Sequence, residues 1–588
     1  MQVRIPNQGQ YVQPSRGEIF GNVFRTTNLD LKTNPGILRL TSRLTINVNS
    51  LNINNMGLPL AFAVHSDGKY WAATGIGTGQ GTSGSGVMLS SASTTPSSAF
   101  AADLTASTPT QIHSDYSDMV VWRKLILVGT YASTPTQRIA KLSGSTWTAN
   151  WFNGVTTGSF VSTGSPKNMC VGFNGNLYIC DDYKVIYVNT SEVAVTSGVG
   201  TVDSGSVYRP IWIRSTSNRL WVGLMSLDSY TGSVGYVAEW DGTGQAFNRI
   251  FKIDAPCAPS ACVKDDVLHI IDAYGILKKF NGSGFAEVAR LPVANLNIEM
   301  PGIYNDLTNN RWIHQRGMDL VDGKINILVN NLVSTGVYVK EMPSGVWEYD
   351  EKIGLYHKNA PCISSADWGQ QALAKVGALF GTKRSDATYL AGTTLYNDNA
   401  STSFNAISYD DISVNTNKKG TIEYPFVSSP STIDSWKKMT YRYRPLTSGD
   451  HIVMKYRNMK DAHLPFISSA TWTSTTTFTS TDSNYQYVSA GNEVEIIMGA
   501  GGSSISKITS ITENAGTYTI TIEDAVGSGS GKVMITNYKK CLDISTTGLA
   551  TESNLVGEFS TKIQVKTHFI GTGDFEVDDL TIESAKQQ

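Results

Sequence analysis

Apolar residues along this chain fall in short runs of strand length, alternating with polar positions and separated by clusters of Gly, Ser, Asn and Asp. Alternation with a period of two predicts β-strands, because successive side chains on a strand point to opposite faces. Helical spacing is scarce, and the one stretch with that character is WGQQALAKV, Trp368 to Val376. The pattern predicts an all-β protein.

The runs recur. Seven segments share a polar turn followed by a strand of aliphatic and aromatic residues: DGKYWAAT from Asp67, RKLILVGT from Arg123, NGNLYICD from Asn174, SNRLWVGL from Ser217, DDVLHIID from Asp265, DGKINILV from Asp322 and VGALFGTK from Val376. Their spacing stays near ~50 residues, the size of one blade in kelch-type or WD-type arrays. Several are followed by another strand that ends in a hairpin turn: IAKLSGSTW (Ile139 to Trp147), YVAEWDGTG (Tyr236 to Gly244), ILKKFNGSG (Ile276 to Gly284) and the looser VWEYDEKIG (Val346 to Gly354). Gly suits such turns because it accepts positive φ without steric cost. Each unit therefore reads as strand, turn, strand, hairpin, strand. One such sheet cannot bury both faces alone, whereas sheets packed around an axis can. The recurrence predicts a β-propeller of about seven blades over residues 37–410. A strand candidate from Ile37 to Val48 precedes the first repeat and would complete the last blade. Residues 1–36, rich in Gln, Asn, Pro and Thr, read as an arm that orders against a neighbouring subunit.

The texture changes after the repeats. Residues 411–430 read as a polar linker, and 431–588 as a β-sandwich. SWKKMTYRYRPL (Ser435 to Leu446) and DHIVMKYRNM (Asp450 to Met459) are strands whose expected partners are FSTKIQVKTHFIG (Phe559 to Gly571) and DFEVDDLTIES (Asp574 to Ser584). Between them, at about 476–526, short strands joined by Gly-rich turns predict a small inserted β-barrel.

Charge narrows the function. Only 16% of the 588 residues are charged and the net charge is -2, which argues against a surface built to neutralise phosphates, so no sequence-specific nucleic acid is expected. The N-terminus lacks the apolar core of a signal peptide, and no apolar run approaches the ~20 residues of a membrane span. The six cysteines are too sparse for a disulfide scaffold and form no CxxC. They read as small buried hydrophobes, although Cys257 and Cys262 would bridge if a loop brought them together.

Candidate chemistry is thin. The eight histidines are scattered without HxH or HExxH spacing, and His269 lies inside a blade strand as a core histidine. GIGTGQGTSGSG (Gly75 to Gly86) follows a strand but opens no helix, so it reads as a loop rather than a phosphate cradle; GAGGSS (Gly499 to Ser504) reads as a barrel turn. The carboxylate pairs Asp181-Asp182, Asp265-Asp266 and Asp410-Asp411 read as turn residues that bond their own backbone. LSGSTW is similar to the Asp-box turn of sialidase propellers but lacks the Asp, and no arginine cluster is evident. Trp71, Trp122, Trp221, Trp240 and Trp347 read as packing between sheets. The expectation is a non-enzymatic protein with no catalytic, cofactor-binding or metal-binding residue.

Both ends resemble virion structural proteins of tailed bacteriophages. The likeness lies in GNVFRTTNLDLKTNPGILRLTSRLTIN, then in SWKKMTYRYRPLTSGDHIVMKYR through ATWTSTTTFTS to GNEVEIIMGAGG. In such proteins a propeller-like region precedes a β-sandwich carrying a small barrel, and propellers also occur in the nozzle proteins of short-tailed phages. The resemblance implies a structural component of a phage tail, made in the host cytoplasm and placed in the virion. It would be one copy among several in a ring, nozzle or tip complex, with other tail proteins as partners. Two rival readings are a receptor-binding tail protein that grips host surface glycans and a propeller-type enzyme that cleaves them.

Overall fold

The computed structural model describes the chain from 2 to 586, apart from 7–24, 31–36, 50–55, 77–87, 103–117, 131–137, 153–167, 196–207, 227–233, 292–312, 339–344, 360–372, 383–386, 398–401, 412–418, 429–433, 459–465, 498–503, 545–549 and shorter stretches. Almost all regular structure is antiparallel sheet, with one 3-10 turn at Ser483–Tyr487 among the described residues.

Six four-stranded sheets are built from consecutive stretches of chain: sheet 1 (56–102), sheet 2 (119–152), sheet 3 (169–195), sheet 4 (208–253), sheet 5 (260–290) and sheet 6 (318–359). In each of them the second strand is one of the recurring segments, Tyr70–Ile76 in sheet 1 through Lys324–Val329 in sheet 6. The polar turn before it is often a two-residue hairpin. Trp122 pairs with Leu125, Lys264 with Val267 and Val321 with Lys324. Both central residues there have positive φ: Arg123 and Lys124, Asp265 and Asp266, Asp322 and Gly323. That is the mirror-image turn whose twist matches the strands it joins. The hairpin segments fall on third strands, Arg138–Ser143, Gly235–Trp240, Ile276–Phe280 and Gly345–Asp350.

A further sheet, sheet 7, has three strands from 373–411 and takes its fourth, Leu44–Asn49, from near the N-terminus. Each sheet shares an apolar core with the next. Trp122 and Ile139 of sheet 2 meet Met169 and Leu177 of sheet 3, and Tyr178 of sheet 3 meets Trp240 of sheet 4 edge-on at 5.3 Å. Val321 of sheet 6 meets Val376 and Leu379 of sheet 7, and Ala378 and Leu390 of sheet 7 meet Phe62 and Tyr70 of sheet 1. This is a β-propeller arrangement.

Three expectations change here. Leu373 to Val376 is strand, not helix, while 368–372 lies outside the described residues. Helix-favouring Ala, Leu and Lys lose to pairing with Ala387–Asn397, a tertiary override of propensity. The seventh recurring segment therefore lies on the first strand of its sheet, not the second. The span Ile37 to Val48 splits: Leu44–Asn49 completes sheet 7 as expected, but Ile37–Leu40 pairs with Asp574–Lys586 at the far end of the chain.

After the propeller come a six-stranded and an eleven-stranded sheet. Asp434–Tyr443 pairs with Asp574–Lys586, and His451–Asn458 with Lys562–Ile570, the partners read from the sequence. Met439, Tyr441 and Tyr443 from the first sheet and Ile452, Met454 and Phe569 from the second fill one core between them. Lys419–Glu423, inside the stretch read as linker, is a strand of the larger sheet. The larger sheet also closes on itself: Phe466–Ser474, Thr477–Ser480, Thr517–Ile522, Ser504–Asn514 and Asn492–Ile497 follow in order, and the last returns to pair with Gly529–Ile544. The circuit is wider than 476–526, and its core holds Trp472, Phe478, Ile508 and Ile535. Buried Lys455, on His451–Asn458, pairs with buried Glu493 on Asn492–Ile497, tying the circuit to the neighbouring part of the same sheet.

The described strands of the arm bond to this same chain. Gln2–Pro6 pairs with Asp574–Lys586 and Arg25–Thr27 with Lys419–Glu423. Open sheet edges within the molecule satisfy the backbone groups of these described strands, and the rest of the arm, 7–24 and 31–36, lies outside the described residues.

Candidate functional site

The polar residues that converge most strongly lie where the first strands of the propeller sheets begin. Met119, Met169 and Met318 each open the first strand of a sheet and are buried. Of the residues just before them, Asp118 reaches the side chain of Arg316 in a tight turn formed by 314–317, Gly317 closes that turn, and Asn168 donates from Nδ2 to Ile211 O. In that turn Gly317 N–H donates to His314 O at 2.7 Å, and Arg316 N–H donates to His314 Nδ1 at 3.1 Å.

This turn bonds to six sheets. Arg316 grips the Asp118 carboxylate with two hydrogen bonds, Nε to Oδ1 at 2.8 Å and Nη2 to Oδ2 at 2.6 Å, and also donates to Met169 O. Gln315 O accepts from Arg214 Nη2 of sheet 4 at 2.9 Å and from Ser260 Oγ of sheet 5 at 3.0 Å. Gly317 O accepts from Leu328 N of sheet 6, and Arg316 O from Leu379 N of sheet 7. A segment of four residues reaches sheets 2 to 7 only by lying on the axis they surround.

The electrostatics are those of a closed hub. Burial works against the charge on Arg316, but the adjoining Asp118 carboxylate outweighs it and holds the guanidinium's pKa above its ordinary value. Arg214 has no such partner. Its guanidinium donates to the carbonyls of Ala261, Ile213 and Gln315, and burial, with Arg316 nearby, lowers its pKa to about 10. Asp319 accepts from the backbone N–H groups of Leu320 and Gly381, yet burial raises its pKa. Burial also pushes the Cys170 thiol up to about 11, which removes thiolate character.

The sequence reading missed this hub and found no arginine cluster. Arg214 and Arg316 do converge, but the fold brings them together across two sheets. The available signal was a polar or Gly residue followed by Met at the head of three sheets, Asp118-Met119, Asn168-Met169 and Gly317-Met318.

A second polar cluster ties sheet 6 to sheet 7. Lys358 Nζ lies 3.1 Å from Glu348 and 3.9 Å from Asp410, whose carboxylate also accepts from Thr388 Oγ1 at 2.8 Å. Tyr389 donates to Asn359 Oδ1 at 2.5 Å. Asp410 is thus not a turn residue: it is buried near the end of Thr402–Asp411 and spans the seam between sheets. Asp266 does sit in a turn, but it accepts from Ser217 N and Oγ of sheet 4, not from its own backbone; those bonds lower its pKa. Asp181 ends the strand Leu177–Asp181, and Asp182 lies outside the described residues.

The remaining flagged residues are packing. Trp71, Trp122, Trp221, Trp240 and Trp347 are buried. His269 is 1% exposed, its Nδ1 is 3.1 Å from Val267 O, and burial lowers its pKa. Cys257 and Cys262 are buried and form no bridge with each other, and Cys362 lies outside the described residues. So do 77–87 and 498–503, which hold most of the two Gly-rich runs. Among the described residues no group of three His, Cys, Asp or Glu is placed to hold a metal ion. No helix among them is long and apolar enough to cross a membrane.

No family model and no curated protein matches the sequence. Solved structures do align. The extracellular domain of a hybrid two component system of B. thetaiotaomicron matches at 10% identity and TM-score 0.37, over 81% of this chain and 47% of that one. An exo-beta-1,3-galactanase from Phanerochaete chrysosporium matches at 9% identity and TM-score 0.29, over 92% of this chain and 100% of that one. The first alignment takes in less than half of its partner. At these TM-scores neither likeness carries an argument about this protein, and the propeller rests on its own strand pairing and cores.

Proposed function

We propose that this chain is a structural component of a bacteriophage tail, one copy among several in a ring, nozzle or tip complex, and that it works by assembly contacts without turnover. In the finer architecture, sheets 1 to 7 are the blades of one closed seven-bladed ring. The two C-terminal sheets are a β-sandwich, with the six-strand circuit as its inserted barrel. Its partners are other tail proteins, and its place is the virion.

The observation that carries the non-enzymatic reading is the turn at 314–317. Ligand sites favour concave clefts with a few convergent polar groups. Here the convergent groups on the axis are spent on one another: Asp118 on Arg316, Arg214 on three carbonyls, Asp319 on two N–H groups. The tail assignment is supported by the likeness of both ends of the sequence to virion structural proteins.

Mass spectrometry of purified particles tests the assignment. The expected result is this chain in the tail fraction at several copies per particle. Its absence from particles, or hydrolysis of host polysaccharide by the purified chain, overturns the reading.

A further inference from the structure

The six-stranded sheet carries two edges with different occupants. At one edge Asp574–Lys586 is flanked by Gln2–Pro6, and beyond the Pro6 end by Ile37–Leu40. At the other edge lies Ala550–Ser560, an eleven-residue strand that pairs with Asp434–Tyr443. Among the described residues no strand pairs with its outer side. An edge of unpaired backbone is a template for another strand, and proteins usually blunt it with Lys, Pro or a bulge. The sequence ATESNLVGEFS contains neither Lys nor Pro. A register shift interrupts the strand between Asn554 and Glu558, but Ala550 to Asn554 runs in unbroken register with Arg442 to Lys438.

The two edges fit each other. Lys438 to Arg442 pairs on its other side with Glu583 to Asp579, and those five residues pair with Gln2 to Pro6. The same five rows therefore cross the whole sheet. The strand directions alternate throughout, so Gln2–Pro6 is antiparallel to Ala550–Ser560. A second copy placed edge to edge at the same level would continue the sheet antiparallel. It would set Gln2 against Asn554, Arg4 against Glu552 and Pro6 against Ala550. The middle row puts opposite charges directly across the junction, a favourable cross-strand pair. Pro6 falls in an end row of the outermost strand, where a missing N–H is tolerated.

We propose that the partner of the Ala550–Ser560 edge is a second copy of this chain, joined through its Gln2–Pro6 strand in one continuous intermolecular sheet. The two surfaces differ, so the contact is head-to-tail and generates a ring or a filament rather than a two-fold dimer. The idea rests on the multi-copy reading above and specifies its contact.

Sedimentation of the intact chain over a range of concentration and salt tests it, using Arg4→Glu, Glu552→Lys and the double reversal. Each single reversal replaces attraction by repulsion and should weaken self-association by about two- to thirty-fold. The double reversal should restore it, an outcome that mere damage to the fold would not produce. Added salt should weaken the parent chain's association. Association that ignores both single reversals, or single defects that the double reversal leaves unrepaired, overturns the edge contact. A parent chain that stays monomeric throughout overturns it as well. Detection of several copies in purified particles would still leave the tail reading standing in any of these cases.

Discussion

Arg316 shows how a single side chain organises this molecule. Its Asp118 partner is 1% exposed, whereas the guanidinium side keeps 24% exposure. Breaking a buried pair leaves an uncompensated charge and costs about 3–5 kcal/mol. Arg316 is partly wet, so Arg316→Ala should cost about 2–3 kcal/mol in urea unfolding. A loss within error of zero would mean the axis turn is held by its backbone bonds alone. His269 gives a pH signature. Its pKa in the fold is depressed below 6.5, so its neutral form is favoured there relative to the unfolded chain. That contribution is present above pH 6.5 and is lost as pH falls through the depressed value. The stability of the parent chain relative to His269→Gln should therefore shrink on acidification below pH 6.5, measured by paired denaturation curves.

At the scale of elements, sheets 1 and 7 approach each other closely. A Cβ added at Gly377 would lie 1.9 Å from Pro59 O, and one at Gly392 would lie 2.0 Å from the same oxygen. Both obstacles are backbone, which cannot rotate away. Gly377→Ala should lower propeller stability by about 1–3 kcal/mol or more through overpacking, and melting of the variant checks it. The barrel circuit makes a second case. Residues 476–526 contain Glu493, and Lys455 outside that stretch is 1% exposed. Excising 476–526 removes Glu493 together with Phe478, Val494, Ile508 and Ile520, and bares Trp472, Val533 and Ile535, the rest of the barrel core. The excision should make residues 431–588 unfold at lower denaturant, and an unchanged midpoint would show that the circuit does not support the strands beside it.

Across the whole molecule, the described strands among the first fifty residues act as a strap. Gln2–Pro6 and Ile37–Leu40 join the six-stranded sheet, Arg25–Thr27 the eleven-stranded one and Leu44–Asn49 the propeller. Truncation at two points separates these roles. Removing 1–30 strips Gln2–Pro6, Arg25–Thr27 and Leu29–Asp30 but spares Leu44–Asn49. Calorimetry should then show an unchanged propeller transition and a lowered C-terminal one. Removing 1–50 also takes the fourth strand of sheet 7, and with it Leu44 from the core it shares with Val346, Tyr389 and Ala406, so the propeller transition should fall too. A propeller transition equally low in both truncations would show that the strand at Leu44–Asn49 does not hold the ring.

Local chemistry determined much of this fold. Six of the seven recurring segments are second strands because their pattern is local: a turn that admits positive φ, then alternating apolar residues that two flanking sheets bury. The hairpin third strands and the two C-terminal strand pairs follow from the same period. What only the tertiary structure decided is whatever depends on residues far apart in sequence. Trp368 to Val376 looked helical because propensity knows nothing of the strand at Ala387–Asn397 that pairs with its end. Asp410 looked like a turn residue because Lys358 and Thr388 reach it only after sheets 6 and 7 pack. The hub at Arg316 joins residues up to 198 positions apart. Hydrophobic period encodes which face of an element is buried, but the partners of a buried charge are set by where packed sheets bring its neighbours.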